Sequence, residues 1–256
     1  MNNVDIFDDE RLDKVNEKIE LIIKKDGLTF GTDAYLLASF IRPQPSARAA
    51  ELGAGTGIIS LLLASRERLS HIYAIEIQED FSRLIERNVL HNGLNDKVSV
   101  LCKDVRDIRA QNTDGELDVV FSNPPYMRTD SGKRNASDRK YIARHEVFGD
   151  IGDFCLSANR LLKHGGKFYC VWRPDRLSEL MGAMRDNRLE PKTMIFVHAD
   201  EESEPSMVLV SATKGGAPSM HVLPPLILHS ADSRGDRARK MSKKAENIYN
   251  TMSFYE

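Results

Sequence analysis

The feature that most constrains this chain is the run Glu51-Leu52-Gly53-Ala54-Gly55-Thr56-Gly57, in which glycines recur at alternate positions between two apolar segments. Residues 47–52 read as a short buried strand, and residues 58–65 carry apolar spacing that suits a helix. Glycine there lets the backbone turn tightly and approach a ligand closely. The same alternation continues downstream. Strands are expected over 71–77, 98–102, 117–122, 167–172, 194–197 and 207–213. Helices are expected over 80–91, 151–162 and 176–187, with Asn92-Gly93 and Gly165-Gly166 as stop signals. Strands alternating with helices predict an α/β fold, a seven-stranded mostly parallel sheet with helices on both faces, and ligands at the carboxyl ends of the strands.

The ligand class follows from spacing. GxGxG stands where a dinucleotide fingerprint has GxGxxG, and no phosphate-binding lysine follows as in a P-loop. A cofactor without phosphates fits better. Glu76 closes the next strand, where a carboxylate can accept hydrogen bonds from ribose hydroxyls, and Asp104 follows the third strand, where an adenine amino group would lie. Taken alone, each of these residues reads as a tight turn, a helix cap or a solvated strand end. Together, Gly53, Gly55, Gly57, Glu76 and Asp104 form a coherent adenosine site. Glu51 and Asp33 are candidates for an ammonium group beside it.

Asn123-Pro124-Pro125-Tyr126 ends the fourth strand of this series. Two prolines cannot donate to a continuing ladder, so the strand stops at an exposed turn. The Asn123 side-chain carbonyl and the Pro124 peptide carbonyl offer two neutral acceptors for the N–H bonds of a planar amine, and Tyr126 offers a ring to stack on it. At the carboxyl edge of a glycine-loop domain, such a turn predicts methylation of an amide or amine held without a general base. A base within structured nucleic acid has to be turned out of its stack to reach such a pocket.

These strings resemble class I S-adenosylmethionine methyltransferases, and within them the bacterial tRNA(Val) adenine-37 N6-methyltransferase family. The resemblance covers nearly the whole chain: LTFGTDAYLLASF, ELGAGTG, IYAIEIQ, SNPPY, GKFYCVWRPDRLSEL and ATKGGAPSMHVLPPLIL. It implies a Rossmann-like class I methyltransferase fold in one domain, with residues 1–45 as an N-terminal extension or lid and 230–256 as a basic C-terminal tail. It implies S-adenosylmethionine as methyl donor, with S-adenosylhomocysteine as product and no metal, and methyl transfer to N6 of adenine in a tRNA anticodon loop. Asn123, Pro124, Pro125 and Tyr126 are then the catalytic residues. Asp33, Glu51, Gly53, Gly55, Gly57, Glu76, Asp104 and Asn123 hold the donor. NPPY also occurs in methyltransferases of protein glutamine and of ribosomal RNA, and a noncatalytic RNA-binding module is the alternative from another class.

Composition bounds the partners. The formal net charge of -2 supplies no global basic field, so a nucleic-acid site has to be local. Between 128 and 144, Arg128, Lys133, Arg134, Arg139, Lys140 and Arg144 outnumber two aspartates beside the base turn, a candidate phosphate-gripping loop. Lys214, after the last strand, is added to Arg128, Lys133, Arg134, Arg139 and Lys140 as an RNA contact. A second basic run spans 234–244, where an exposed helix is expected. Three widely spaced cysteines suit neither a disulfide framework nor a zinc site, and the histidines have no ligand spacing. The acidic start lacks the pattern of a signal peptide, and no apolar stretch is long enough for a membrane span. A cytoplasmic protein, monomeric and without membrane contact, is the expectation.

Overall fold

The computed structural model describes residues 4–26, 31–124, 149–230 and 240–255. The elements are β1 (Glu10–Lys14), β2 (Glu20–Lys24), α1 (Thr32–Phe40), β3 (Gln44–Leu52), α2 (Ile58–Ser65), β4 (Leu69–Glu76), α3 (Glu79–His91), β5 (Val98–Cys102) and β6 (Leu117–Ser122). After the undescribed segment come α4 (Ile151–Leu161), β7 (Leu162–Trp172), α5 (Leu177–Asp186), β8 (Leu189–His198), β9 (Pro205–Lys214), β10 (His221–Val222), β11 (Leu226–Ile227) and α6 (Lys243–Thr251).

Strands β8, β9, β7, β6, β3, β4 and β5 lie side by side in that order, and β9 alone among these seven runs against its neighbours. That is the expected mostly parallel sheet. The two-residue strands β10 and β11 both pair with β8 and extend its outer edge, giving a nine-stranded sheet. Such short pairings carry no periodicity and leave no sequence signal. Two apolar layers, one on each face, bury the sheet. Ile59, Leu62, Leu36 and Phe40 belong to one, and Phe154, Cys155, Leu161 and Leu180 to the other. Burial of both faces explains why the parallel strands read as near-continuous apolar runs rather than alternating ones.

Gly165-Gly166, expected to separate a helix from a strand, lies inside β7. The pairing with β6 passes from Leu117↔Leu162 to Val119↔Lys167, so the residues between bulge out of the ladder, and Gly165 takes φ of 79°. A positive φ is what glycine supplies at a bulge.

The described part of the N-terminal segment packs on the domain. Strands β1 and β2 form an antiparallel hairpin that packs on α3, while α1 is a core helix in which Leu36, Leu37, Ala38 and Phe40 are fully buried. Glu10 pins the hairpin. Its side chain meets Arg87 at 2.8 Å and Lys24 at 3.1 Å, and the Arg87 guanidinium above all holds its pKa down at about 2.

The C-terminal segment is likewise docked rather than free. Ser242 caps α6 by accepting from the Ala245 N–H at 3.1 Å, and Ala245, Ile248 and Met252 enter the core. Tyr249 stacks on Tyr35 with ring centroids 4.6 Å apart, and Phe254 meets the edge of Phe40. Lys243 and Lys244, at the end of the basic run, are exposed and open this helix, and residues 231–239 lie outside the described ones. Among the described residues, no helix is long and apolar enough to cross a membrane.

Candidate active site

The glycine loop leaves β3 at Leu52, and the Gly53 and Ala54 N–H groups both donate to the Ile75 carbonyl at 2.9 Å, seating the loop on the end of β4. Gly53, Gly55 and Gly57 have φ of 70°, 56° and 79°, in the left-handed region where glycine costs no steric strain. A Cβ at Gly55 would meet nothing within 4 Å, so space opens over the middle of the loop. At Gly57 a Cβ would come 2.8 Å from Ile85 Cγ2, so close packing of α3 also requires that glycine.

Glu76 ends β4 and is almost fully buried. Its Oε2 accepts from the Gly55 N–H and its Oε1 from the Gln78 N–H, both at 2.9 Å. A carboxylate has about four lone-pair sites, so these bonds fix its orientation and still leave capacity for a hydroxyl. Asp104 follows β5 and is drawn to Arg106: its oxygens accept from that residue's backbone N–H at 2.8 Å and from the guanidinium Nε at 3.0 Å. Chiefly through this guanidinium, the carboxyl is held below its ordinary range. Arg106 carried no signal in the sequence, because its role depends on the short 3-10 turn that Asp104 caps.

Glu51 does not join this rim. Its Oε2 accepts from the Ser60 N–H at 3.0 Å and the Ser60 hydroxyl at 2.5 Å, at the start of α2 beneath the loop. Burial pushes its carboxyl up to about 8. A buried group committed to a helix start braces the loop from below and is out of position for a ligand's ammonium, the role expected of it.

Leu52 and Ser122 stand opposite each other in adjacent parallel strands, and the Ser122 hydroxyl donates to the Leu52 carbonyl at 2.8 Å. Consequently Asn123 emerges beside Gly53. Asn123 is half-buried and Pro124 buried. The Asn123 amide Nδ2 donates to Asp33 Oδ2 at 2.9 Å, bringing the start of α1 to the turn. Pro125 and Tyr126 lie outside the described residues, as do Arg128, Lys133, Arg134, Arg139, Lys140 and Arg144.

Lys214 is placed elsewhere. Because β9 runs antiparallel, its last residue falls at the amino ends of the parallel strands, where Lys214 Nζ donates to the Leu162 carbonyl at 2.6 Å. That is the edge of the sheet opposite Asn123.

On the other side of Asp33 from the glycine loop's helix is a cavity of about 660 Å³, lined by Thr32, Asp33 and residues 172–175 and 204–207. These residues come from the end of β7 and the start of β9, over the half of the sheet away from Glu76 and Asp104. Arg173 is tied to Asp175 at 2.9 and 2.8 Å, so with Asp33 and Glu204 the walls carry more negative than positive charge. Residues 172–175 lie in GKFYCVWRPDRLSEL, one of the strings that carry the family resemblance, but none of 172–175 or 204–207 was singled out for a role. The signal available was positional: Arg173-Pro174 directly follows a strand whose carboxyl end faces the site.

The arrangement can hold a phosphate-free adenosine over the glycine loop, between Glu76 and Asp104. No group of three or more metal-ligating side chains occurs among the described residues.

Comparison with known proteins places this geometry in context. The methyltransferase small domain family matches residues 24–186. A tRNA1(Val) (adenine(37)-N6)-methyltransferase of Phocaeicola vulgatus is 33% identical over 181 residues, covering 71% of this chain and 75% of that protein. A protein of the same name from Bacteroides fragilis is 29% identical over 189 residues, 74% of this chain and 78% of the relative. Among solved structures, a predicted O-methyltransferase of Agrobacterium tumefaciens superposes with a TM-score of 0.68 at 21% identity, over 88% of this chain and 98% of that one. That likeness concerns the fold.

Proposed function

Since the chain belongs to the methyltransferase small domain family, we propose that it transfers a methyl group from S-adenosylmethionine to N6 of an adenine in tRNA, at position 37 of the tRNA1(Val) anticodon loop. The observation that carries this reading is the convergence of Asn123 and the glycine loop at the paired ends of β6 and β3. The relatives bearing that name supply the choice of adenine 37.

The donor fits the residues present. Glu76 accepts from a ribose hydroxyl, Asp104 accepts from the adenine amino group, and the open space above Gly55 admits the ligand's backbone close to the loop. When bound, the donor supplies an electrophilic methyl carbon on a sulfonium. The acceptor N6 lone pair is delocalised into the purine ring. Asn123 Oδ1 and the Pro124 carbonyl each take one N6–H, which favours a more tetrahedral nitrogen and fixes the lone pair in line with the methyl carbon. The methyl group would pass from the sulfonium to the N6 lone pair, the carbon–sulfur electron pair would stay with sulfur, and the surplus N6 proton would leave to water. No strong base is needed.

The cavity beside Asp33 receives the purine ring, and its excess of carboxylates suits base amino groups rather than phosphates. The phosphate contacts then fall to Arg128, Lys133, Arg134, Arg139 and Lys140. A reducing compartment such as the cytoplasm accords with three unpaired cysteines, of which Cys155 and Cys170 are buried. Incubating the purified protein with labelled donor and tRNA lacking the modification tests the reading: label transferred to tRNA is expected. Transfer only to a peptide glutamine, or to no acceptor while RNA still binds, would overturn it.

A further inference from the structure

The amide of an asparagine is ambivalent, with an acceptor on one side of Cγ and a two-proton donor on the other. A half-turn of the Asn123 amide would replace the acceptor that meets an amine by a donor that repels it. Something in the site has to decide between the two orientations. Asp33 Oδ2 accepts from Asn123 Nδ2 at 2.9 Å. An ionised carboxylate can only accept, so it favours the observed orientation by a charge-assisted hydrogen bond and disfavours the flipped one, in which two oxygens would face each other.

Asp33 is itself held. Its Oδ1 accepts from the Ala34 N–H at 2.9 Å at the start of α1, where the helix dipole favours a negative charge. Gly31 leaves it room, since a Cβ there would come 2.4 Å from Asp33 Oδ1. The helix behind it is anchored by fully buried Leu36, Leu37 and Phe40. A carboxylate mounted this firmly selects the amide orientation before any substrate arrives.

We propose that Asp33 is a positioning residue for methyl transfer: by holding Asn123 Nδ2, it keeps Asn123 Oδ1 presented to the acceptor amine. This assigns Asp33 to the acceptor side of the reaction rather than to the donor's ammonium, and it rests on the amine-methylation reading above.

The test compares Asp33→Ala with Asp33→Asn, whose single side-chain carbonyl can accept from Asn123 or from the Ala34 N–H but not from both. Asp33→Ala is expected to lower kcat about tenfold to a hundredfold, the worth of a charge-assisted hydrogen bond. Donor affinity by calorimetry should change less than about twofold, and Asp33→Asn should recover part of the rate, outcomes that simple misfolding of α1 would not produce. A tenfold loss of donor affinity with kcat unchanged would overturn the proposal and make Asp33 a donor ligand. A second readout needs no acceptor. The side-chain amide protons of Asn123, identified in a 1H–15N spectrum by their loss in Asn123→Ala, should exchange faster in Asp33→Ala than in the wild type. Unaltered signals in Asp33→Ala would refute the lock even if the methyl acceptor proves to be something other than tRNA.

Discussion

Asn88 reads the backbone of Ile22 as a neighbouring strand would: its Oδ1 accepts from the Ile22 N–H at 2.7 Å and its Nδ2 donates to the Ile22 carbonyl at 3.1 Å. One turn on, Asn92 does the same to Glu20, at 3.0 and 2.7 Å. The hairpin is thereby hydrogen-bonded to a helix, and Asn88 Nδ2 also lies 3.4 Å from the Thr56 carbonyl in the glycine loop. Asn88→Asp removes the donor and sets a buried charge against two carbonyls. It should cost about 3 kcal/mol in chemical denaturation and raise amide exchange at Ile22.

Gly57→Ala should destabilise the protein by about 2 kcal/mol or more, since the new side chain is strained at φ of 79° and meets Ile85 at 2.8 Å. Combining it with Ile85→Ala should relieve the clash but not the backbone strain. Donor affinity should therefore stay reduced in the double variant, as calorimetry would show.

The Glu51 carboxyl has a definite pH signature. Its pKa rises from 4.5 to about 8 on folding, chiefly through burial, so the folded state holds a proton that the unfolded state has released. The stability this group contributes is full below pH 4.5 and is lost as pH rises through about 8. Glu51→Gln keeps an acceptor for Ser60 without the ionisation. Its stability relative to wild type should grow across that window by about 5 kcal/mol at most and level off above it, as paired thermal melts at several pH values would reveal.

Asp104 and Arg106 should respond oppositely to removal. Asp104→Ala takes away an acceptor for the donor's adenine and should weaken donor binding about tenfold. Arg106→Ala frees the carboxylate that the guanidinium now occupies, so affinity should hold or rise. Equal losses in both variants would mean that the ion pair, rather than the carboxylate, forms the site.

How far the sequence spoke for itself varies by element. The bounds of α2, β5 and β6 coincide with their apolar runs because glycines, Asn-Pro-Pro or polar turns punctuate both ends. The hairpin escaped detection because charged residues crowd Glu10–Lys14 and because asparagine side chains, which have no periodic signature, dock β2 on α3. Which end of the sheet Lys214 occupies was not legible, because strand direction is not written in a run of apolar residues. At the site, the glycines, Glu76 and Asn123 stood out through motif spacing. The contact between Asp33 and Asn123 did not, since it joins positions brought together only when α1 folds into the core.

The central claim is met most directly by mapping the product. Wild-type protein is incubated with S-adenosylmethionine and tRNA1(Val) lacking the modification, and the digested RNA is sequenced by mass spectrometry. The account predicts one added methyl group, on N6 of the adenine at position 37, and its absence with Asn123→Ala. A methyl group on another nucleotide or ring position, or undiminished product from Asn123→Ala, would contradict it.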